Sequence, residues 1–424
     1  MTKIWYPPYV QWEVTNRCNH NCIHCYNYWR TDINGSTDDC KNIDLILNKI
    51  IENKPVRVVL TGGEPTLLFE KIRNAIEKLR KNKIEVSINT NAVVITEEMA
   101  SFFARNNVGC LISFPSSDSL IFEKIVGRDS FNKVVKNMRI LQRYNVRFST
   151  NTVVSKLNLY TVYETFKFLN QLGVVSCQMA LAGKPINASL EFNKFALERD
   201  DWKIISSQAI KYCKEFNKKI DITDCLPRCT YESLEEYTLL KSRTCSAGLT
   251  GYAITVTGDV KACPRGEDVY GNILDEPLSS IYDKMESWRN ETYIPQECKR
   301  CKQKYTCRGG CRMIGYSTTK KYDSFLDIAN IENTPILYSE PSKKSYMEND
   351  KFCLNKNAIF LNEKSCVRVQ VTSKCIFISR EFADFLKNHL SFTKKELMNE
   401  CENCYQIDYA LNALIDNYII IKQK

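Results

Sequence analysis

Three cysteines near the start of the chain share one short stretch with the spacing Cys-x3-Cys-x2-Cys, namely Cys18, Cys22 and Cys25. Thiolates bind metals, so this stretch offers three ligands within one tight loop. A structural zinc site is closed by four ligands, and an ordinary iron–sulfur cluster is held by four cysteines. Three thiolates would leave one iron open to bind another molecule. The spacing therefore predicts such an open cluster; the alternatives are a chance grouping of cysteines or an incomplete zinc site.

The sequence around this loop predicts a parallel sheet with helices outside it. Short β-branched stretches alternate with amphipathic ones from Val10 to about Gly183. The predicted strands are residues 9–15, 56–61, 84–89, 109–114, 146–153 and 174–181, and the predicted helices are residues 43–51, 69–81, 97–105, 131–144 and 159–172. Six such units are too few for a closed eight-stranded barrel, so we expect an α/β fold with an open partial (β/α)6 barrel. Its active site belongs at the carboxyl ends of the strands, where the three-cysteine loop follows the first strand.

A second motif, Gly62-Gly63-Glu64-Pro65, follows the second predicted strand. On its own it predicts only a tight turn, because glycine permits backbone angles that are closed to other residues. In this order, and about 40 residues apart, the two motifs resemble those of the radical S-adenosylmethionine (SAM) enzymes, and the resemblance extends over residues 10–355. It implies that the open iron takes the amino and carboxylate groups of SAM. It also implies that the backbone of the Gly-Gly-Glu turn meets the SAM amino group.

The same resemblance implies side-chain contacts with SAM. His24 and Tyr26 flank the third cysteine, where the family places aromatic side chains against the adenine; core packing is the alternative for both. Ser113 resembles a serine that contacts the ribose, and Asn151 is a candidate adenosine contact. Arg128 stands near the position of a SAM-binding arginine, about two residues out of register, with a solvated surface charge as the alternative.

A second group of cysteines follows in the second half of the chain, with the spacings Cys-x12-Gly-x4-Cys and Cys-x2-Cys-x5-Cys-x3-Cys and one more cysteine further on. These seven resemble the SPASM domain, an extension of radical SAM enzymes that binds two auxiliary 4Fe–4S clusters. The resemblance implies that auxiliary cluster I is held by Cys245, Cys263 and Cys311, and that auxiliary cluster II is held by Cys298, Cys301, Cys307 and Cys353. Zinc is the alternative metal for such cysteines.

The sequence departs from the family pattern in several places. Leu239 stands where several relatives have another cysteine, so either Cys225 or Cys229 is a fourth ligand of auxiliary cluster I, or one iron stays open for a substrate sulfur. Pro264 stands where sulfatase-maturing relatives carry an aspartate that acts as a base, which counts against that activity. Thr90-Asn91-Ala92 replaces the family's Thr-Asn-Gly turn. The other cysteines are expected to be buried apolar thiols: Cys40, Cys110, Cys177, Cys213, Cys366, Cys375, Cys401 and Cys404.

The composition predicts a metalloprotein of a reducing compartment. The 424 residues suffice for two or three domains. Twenty cysteines occur without a secretory signal or an apolar run long enough to span a membrane. We therefore expect metal ligation rather than disulfides, in the cytoplasm. The formal charge of +10 overstates the basic character, because iron-bound thiolates add negative charge, and we expect neither nucleic-acid nor membrane partners.

The pattern divides the chain into the barrel (1–183), a bridging region (184–242) with a helix near 200–216, a loop-rich SPASM domain (243–357) with a polar insertion at 317–350, and a C-terminal unit (358–424). The last part alternates like strands over 367–378 and continues with helices at 381–389, 394–400 and 407–415 before a short final strand. This outline resembles a winged-helix-like unit that captures leader peptides in modified-peptide biosynthesis. A structural cap is the alternative.

The resemblance implies radical chemistry on a peptide or protein. A reduced cluster would cleave SAM to methionine and a 5′-deoxyadenosyl radical, which abstracts hydrogen from an unactivated carbon, and the auxiliary clusters would take up the remaining electron. We expect a maturase that forms a thioether or other cross-link in a ribosomally made precursor peptide, with a flavodoxin- or ferredoxin-type electron donor. The alternatives are oxidation of a Ser or Cys side chain, dehydrogenation of a small molecule, and an iron–sulfur electron-transfer protein.

Overall fold

Strands and helices alternate through the first half of the chain. The structure is a computed structural model and describes residues 7–27, 31–32, 42–183, 194–318, 323, 325–326, 344–363, 365–371, 374–400 and 407–423. The strands of this half are β1 (Tyr9–Thr15), β2 (Arg17–Cys18), β3 (Thr31–Asp32), β4 (Arg57–Gly62), β5 (Glu85–Thr90), β6 (Gly109–Ser113), β7 (Phe148–Val154), β8 (Cys177–Leu181) and β9 (Asp221–Ile222). The helices are α1 (Ile43–Glu52), α2 (Phe69–Lys81), α3 (Glu97–Arg105), α4 (Ser119–Val126), α5 (Phe131–Arg143), α6 (Val162–Gln171), α7 (Asp201–Phe216) and α8 (Leu234–Leu239).

The second half has shorter elements. Its strands are β10 (Gly251–Ile254), β11 (Asp259–Lys261), β12 (Gly271–Asn272), β13 (Lys351–Leu354), β14 (Ile359–Asn362), β15 (Val367–Val371), β16 (Lys374–Ile378), β17 (Ser391–Thr393) and β18 (Ile420–Lys422). Its helices are α9 (Leu278–Lys284), α10 (Glu286–Arg289), α11 (Lys304–Cys307), α12 (Arg312–Thr318), α13 (Arg380–Asn388), α14 (Lys394–Glu400) and α15 (Ile407–Asp416).

One sheet forms the centre of the fold, with the strand order β12-β11-β10-β1-β4-β5-β6-β7-β8-β9. From β1 to β9 every neighbouring pair is parallel, so the carboxyl ends of these strands lie at one edge. This confirms the predicted parallel α/β barrel sheet. Strand β10 pairs in parallel with β1, and β11 and β12 continue antiparallel. Residues predicted to belong to the SPASM domain therefore extend the barrel sheet, and the predicted domain boundaries stay predictions.

Local patterning accounts for the agreement within the barrel. In α2 the buried residues Ile72, Ala75, Ile76 and Leu79 recur at intervals of three and four, which places them on one helix face against the sheet. Helices α2 and α3 match their predicted ranges in full. Helix α4 was not predicted. It is short, it is capped by the side chain of Asp118, and it carries only a few buried positions.

The C-terminal unit has its own apolar core, two small antiparallel sheets (β17-β13-β18 and β14-β15-β16) and the helices α13 to α15. This agrees with the predicted winged-helix-like outline. In β15, Val367, Val369 and Val371 belong to this core, while the alternate residue Arg368 donates from Nη2 to the Lys54 carbonyl at 2.8 Å. The sheet β14-β15-β16 therefore lies between the core of the unit and the amino end of the barrel sheet. Phe352 of β13 belongs to the same core, upstream of the predicted start at residue 358.

Several sequence expectations concern burial. Cys110, Cys177, Cys213 and Cys366 are buried, as predicted, and Cys375 is half-buried. Cys40, Cys401, Cys404 and most of the predicted polar insertion lie outside the described residues. Among the helices in the described part of the chain, none is both long enough and apolar enough to cross a bilayer.

Candidate active site and metal centres

The three-cysteine loop is held at the carboxyl edge of the sheet by backbone hydrogen bonds to the end of α4. The Asn21 amide donates to the Val126 carbonyl at 2.9 Å, and the Ile23 amide donates to the Ile125 carbonyl at 3.0 Å. Cys18, Cys22 and Cys25 are all half-buried. The unpredicted helix α4 thus fixes the loop that carries all three thiols, and sequence patterning gave no sign of this contact.

The Gly-Gly-Glu turn packs directly on the chain that leads into this loop. The Gly63 amide donates to the Thr15 carbonyl at 2.7 Å, and the Glu64 amide donates to the Arg17 carbonyl at 2.8 Å. A Cβ on Gly63 would stand 2.0 Å from the Arg17 oxygen, which no side chain tolerates. The turn therefore needs glycine to approach the cluster loop, apart from any contact with SAM.

The Glu64 side chain joins the ends of two neighbouring strands. Its carboxylate accepts hydrogen bonds from the Thr66 amide and hydroxyl, from the Thr90 hydroxyl at 2.7 Å and from the Asn91 amide at 2.7 Å. It is buried, and burial raises the pKa of this carboxyl against the opposing effect of those hydrogen bonds. Its carboxylate thus has a structural function in addition to the backbone function predicted for the turn.

Asn91 is a site residue whose role the sequence left open. Its Nδ2 donates to Asn19 Oδ1 at 2.7 Å and lies 4.0 Å from Cys18 Sγ. The next residue, Ala92, has φ +59°, in the left-handed region, which explains the glycine of the family's Thr-Asn-Gly turn. Asn137 Nδ2 donates to the Ala92 carbonyl at 2.8 Å. The turn thus lies against Cys18, the first of the predicted cluster ligands, through Asn91.

The predicted SAM contacts lie along the same edge. Ser113 and Asn151 are register partners on β6 and β7, with Ser113 exposed. Arg128 lies just beyond α4, and its charge acts on His20, a residue of the cluster loop. His24 and Tyr26 are half-buried on the loop itself. The structure therefore brings these predicted residues to one edge of the sheet, and their contacts with SAM stay predictions.

His20, inside the Cys-x3-Cys segment, was overlooked in the sequence. It is 5% exposed, and its Nε2 lies 2.9 Å from Ser130 Oγ. Burial and the positive charge of Arg128 lower the pKa of His20 to about 4. The imidazole is therefore neutral at physiological pH. Its position between two cysteines was the only available signal.

Arg265 connects the cluster loop with the first auxiliary group. Its guanidinium lies 5.7 Å from the centre of the Tyr26 ring and 3.1 Å from the Asp224 carboxylate. Burial and the negative charges of Glu13 and Cys25 raise the pKa of Tyr26. Although burial opposes it, the charges of Asp224, Cys311 and Cys263 raise the pKa of Arg265. Neither Arg265 nor Asp224 was predicted as a site residue.

The auxiliary cysteines fall into two groups, and the first gathers around Cys245. The thiols of Cys225 and Cys245 hydrogen-bond to each other. Cys311 is close enough to Cys225 for an electrostatic interaction between the two thiols. Cys263 interacts in the same way with both Cys245 and Cys311. Because Cys225 donates to it, Cys245 is the member of the pair whose pKa is lowered. The predicted members Cys245, Cys263 and Cys311 are thus together, joined by Cys225.

The second group lines a small cavity. Four thiols border it, from Cys229, Cys298, Cys301 and Cys307. The Arg228 amide donates to Cys307 Sγ at 3.3 Å, which fixes the adjacent Cys229 at the cavity. No three His, Cys, Asp or Glu side chains of the described residues converge closely enough for a single metal ion.

Here the structure departs from the predicted ligand sets. Cys353 was predicted in the second group, but the register of β13 places it between Ser391 of β17 and Ile421 of β18, where its thiol lies 3.6 Å from the Ile421 carbonyl. Cys229, proposed as a fourth member of the first group, lies in the second group instead. Strand pairing holds the backbone of Cys353 in the C-terminal unit, and Cys353 is not among the residues that line the cavity of the second group.

Buried guanidinium groups test whether these residues fit iron–sulfur clusters. Arg228 Nη1, Arg308 Nε, Arg312 Nε and Arg312 Nη1 are buried and have no hydrogen-bond partner among the described residues. The charge of Arg228 interacts electrostatically with Cys307. The charges of Arg308 and Arg312 interact in the same way with Cys245. A buried donor without an acceptor is costly, and thiolate-bound clusters are anionic acceptors. All-thiol donor sets lined by such cations therefore fit iron–sulfur clusters.

Comparison with known proteins identifies matching families and folds. The radical SAM superfamily model matches residues 12–169, and the model of the SPASM iron–sulfur cluster-binding domain matches residues 245–302. An uncharacterized protein of Methanocaldococcus jannaschii is 30% identical over 283 residues, covering 62% of this chain and 88% of that protein. An AdoMet-dependent heme synthase of Methanosarcina barkeri is 24% identical over 367 residues, covering 80% and 98%.

Two solved structures share the fold. The enzyme anSMEcpe with bound AdoMet and the Kp18Cys peptide has a TM-score of 0.62 at 20% identity, covering 75% of this chain and 94% of that one. SuiB of Streptococcus suis bound to the precursor peptide SuiA has a TM-score of 0.61 at 18% identity, covering 76% of each chain.

Proposed function

The chain belongs to the radical SAM superfamily and carries a SPASM iron–sulfur domain, and from this premise we propose that it is a maturase that cross-links a ribosomally made precursor peptide. Radical SAM chemistry makes it an enzyme with iron–sulfur clusters and SAM as cofactors. The finer proposal concerns the substrate, a peptide, and the product, a thioether or other cross-link.

The observation that carries the proposal is the continuity between the two cysteine regions. Tyr26 follows the last cysteine of the cluster loop, and the charges of both Cys25 and Cys263 act on it. Arg265 lies over the Tyr26 ring, and its positive charge also interacts electrostatically with Cys311. A substrate held at the strand edge would thus react beside an auxiliary group that can accept its surplus electron.

The reaction balances with the cofactors of the family. Cys18, Cys22 and Cys25 would hold the cluster, which would supply the electron for cleavage of SAM to methionine and a 5′-deoxyadenosyl radical. Thioether formation breaks one C–H and one S–H bond of the peptide and makes one C–S bond. One hydrogen atom leaves in 5′-deoxyadenosine, and one proton and one electron remain to be removed. The two groups of auxiliary cysteines would hold the clusters that accept this electron, so the peptide would lose two hydrogens for each SAM consumed.

The protein's own residues position the reactants. We assign the Gly62-Gly63-Glu64 backbone to the SAM amino group, and Ser113 and Asn151 to the nucleoside hydroxyls. Glu64 and Asn91 hold these strand ends against the cluster loop. Holding the reacting carbon close to the radical carbon contributes through proximity and exclusion of water.

Similarity to peptide-bound structures supports a peptide substrate, since both solved neighbours carry peptides. The C-terminal unit supports it further. Its sheet β14-β15-β16 pairs with no other strand among the described residues, so both outer edges can take an added strand. We assign this unit to leader-peptide recognition. Pro264, in place of the aspartate of sulfatase-maturing relatives, disfavours simple side-chain oxidation, and the heme synthase relative makes a small molecule the competing substrate.

The test uses the reconstituted full-length protein under anaerobic, reducing conditions. It is incubated with SAM and with each short peptide encoded beside its gene, and the products are analysed by mass spectrometry. We expect 5′-deoxyadenosine and a peptide that has lost two hydrogens and one alkylatable thiol per cross-link. Release of 5′-deoxyadenosine with every peptide unchanged would overturn the peptide assignment and leave a small-molecule substrate.

A further inference from the structure

The segment between β9 and α8 carries two cysteines, Cys225 and Cys229, that lie in the two different groups of auxiliary cysteines. We infer that Cys225 completes auxiliary cluster I with Cys245, Cys263 and Cys311, and that Cys229 completes auxiliary cluster II with Cys298, Cys301 and Cys307 in place of Cys353. This inference needs the two clusters of the SPASM domain but not a peptide substrate, so it stands or falls separately from the proposed cross-linking.

The loop is fixed between the two groups by buried contacts. Leu226 is buried in the core that it shares with the barrel, and its carbonyl accepts from the Ser242 hydroxyl at 3.3 Å. Pro227 packs so closely on Gly310 that a Cβ there would lie 2.6 Å from the proline ring. Thr230 donates from its hydroxyl to the Phe325 carbonyl at 2.9 Å. Because both flanks are anchored, the loop holds one cysteine at each group.

Cys229 occupies the fourth position of the second group by geometry. It borders the same cavity as Cys298, Cys301 and Cys307, and it packs with Cys298 and Cys301 in one small cluster with Ile294 and Leu326. Arg228, its neighbour, is 5% exposed and stacks on Tyr237 with its guanidinium 4.2 Å from the ring centre. Arg228 Nη1 is buried and has no hydrogen-bond partner in the part of the chain that the structure describes, so it would be available as a donor to an anionic cluster.

Cys353 is not among the residues that line this cavity. Its residue pairs on one side with Ser391 and on the other with Ile421, and the preceding Phe352 is fully buried in the core of the C-terminal unit. The second cluster therefore takes its fourth thiolate from upstream of the SPASM cysteines rather than from downstream.

A complete first group has a chemical consequence. With Cys225 as fourth ligand, auxiliary cluster I has no open iron, so a substrate sulfur does not bind to it. Both auxiliary clusters then serve as electron acceptors, and a cross-linking sulfur must react from the peptide itself.

The test measures iron rather than activity. All variants are made in a background with Cys18, Cys22 and Cys25 changed to Ala, so the iron that remains after anaerobic reconstitution is auxiliary iron, about eight per chain for two four-iron clusters. We expect Cys353→Ala to keep all of it. Cys225→Ala and Cys229→Ala should each lose about four irons or convert one cluster to a species with an altered electron paramagnetic resonance signal. Full iron and unaltered spectra in Cys229→Ala, with loss in Cys353→Ala, would overturn the assignment.

A second measurement does not depend on the folding of any variant. The loaded wild-type protein is treated anaerobically with iodoacetamide, and each cysteine is quantified by peptide mass spectrometry before and after removal of the clusters. We expect the clusters to protect Cys225 and Cys229 and to leave the labelling of Cys353 unchanged. Protection of Cys353 by loading, or free labelling of Cys229 in the loaded protein, would refute the inference.

Discussion

The Arg265 guanidinium lies 3.1 Å from the Asp224 carboxylate, and this ion pair joins the barrel edge to the first auxiliary group. Asp224 also accepts from the Leu181 amide at the end of β8, at 2.6 Å. Arg265 also lies close to Gly183, just after β8, where an added Cβ would lie 3.1 Å from the Arg265 Nη1 atom. The pair thus fixes the distance between the predicted SAM site and the cysteines of auxiliary cluster I.

Removing the cation should destabilise the protein because Asp224 is only 7% exposed. We expect Arg265→Gln to lower the free energy of unfolding by about 3 kcal/mol, since a buried charge without its partner is costly. The matched control is Arg143→Gln, which breaks an exposed ion pair with Glu97 at 2.7 Å and should cost less than about 1 kcal/mol. Anaerobic thermal unfolding at equal iron content measures the stability of both variants. Equal losses of stability would show that the buried Arg265–Asp224 pair contributes no more than an exposed one.

The close contact of the Gly-Gly-Glu turn gives a second prediction. A Cβ on Gly63 would lie 2.0 Å from the Arg17 carbonyl oxygen, so Gly63→Ala must displace the chain that leads to Cys18. We expect SAM cleavage to fall about a hundredfold, since small misplacements in an active site have effects of that order. Production of 5′-deoxyadenosine by reduced, reconstituted protein measures it.

Gly109→Ala is the matched control for this variant. Gly109 begins strand β6 of the same sheet, and a Cβ there would meet nothing closer than 3.9 Å. It should therefore retain wild-type SAM cleavage. If both glycine variants cleave SAM at the wild-type rate, the turn does not position the cluster loop.

Sequence patterns predicted the helices whose formation depends on the residues within each helix. The periodicity of apolar residues correctly predicted the first and last residues of α2 and α3, because each helix buries one continuous face. The same reasoning overlooked α4, whose role depends on its backbone contacts with Asn21 and Ile23. Motif spacing identified the candidate metal-binding cysteines as a group, but it did not indicate that Cys229 lies beside Cys298, Cys301 and Cys307, or that Cys353 is not among the residues that line their pocket. Thiols are chemically equivalent, so the choice between them depends on long-range strand pairing that spacing does not encode.

The Thr90-Asn91-Ala92 turn allows a prediction about backbone strain. Ala92 has φ +59°, a conformation that costs an L-residue roughly 1–2 kcal/mol, and it is fully buried. In Ala92→Gly, relief of this strain offsets the loss of about 0.8 kcal/mol from one buried methyl group. We expect the free energy of unfolding to stay the same or to rise by up to about 1 kcal/mol.

Ala104→Gly provides the comparison for Ala92→Gly. Ala104 lies within α3, where a glycine costs about 1 kcal/mol. Urea unfolding under anaerobic conditions measures the free energy of unfolding of both variants. The value for Ala104→Gly should be lower than that for Ala92→Gly by about 1 kcal/mol or more. A loss in Ala92→Gly as large as that in Ala104→Gly would show that the left-handed turn is not strained.

The last prediction separates the two roles considered for the C-terminal unit. Its core includes Tyr346, whose hydroxyl donates to Asn412 Oδ1 at 2.6 Å, so a clean truncation ends at residue 343 rather than 357. Such a chain lacks Cys353 but keeps both groups of auxiliary cysteines. We expect it to retain the full iron content and SAM cleavage without peptide, and to lose affinity for the precursor peptide because the open edges of β14 and β16 are gone. Fluorescence titration with labelled leader peptide measures that affinity.

Arg368→Gln in the full-length chain is the control for docking alone. Arg368 is 1% exposed and donates to the Lys54 carbonyl, so its loss weakens the contact between unit and barrel while both strand edges remain. This variant should unfold at a lower temperature yet bind the leader peptide with wild-type affinity. The truncated chain should be destabilised as well, because the barrel surface around Lys54 becomes exposed. Wild-type leader affinity in the soluble, fully loaded truncation would make the unit a structural cap and not a peptide-recognition element.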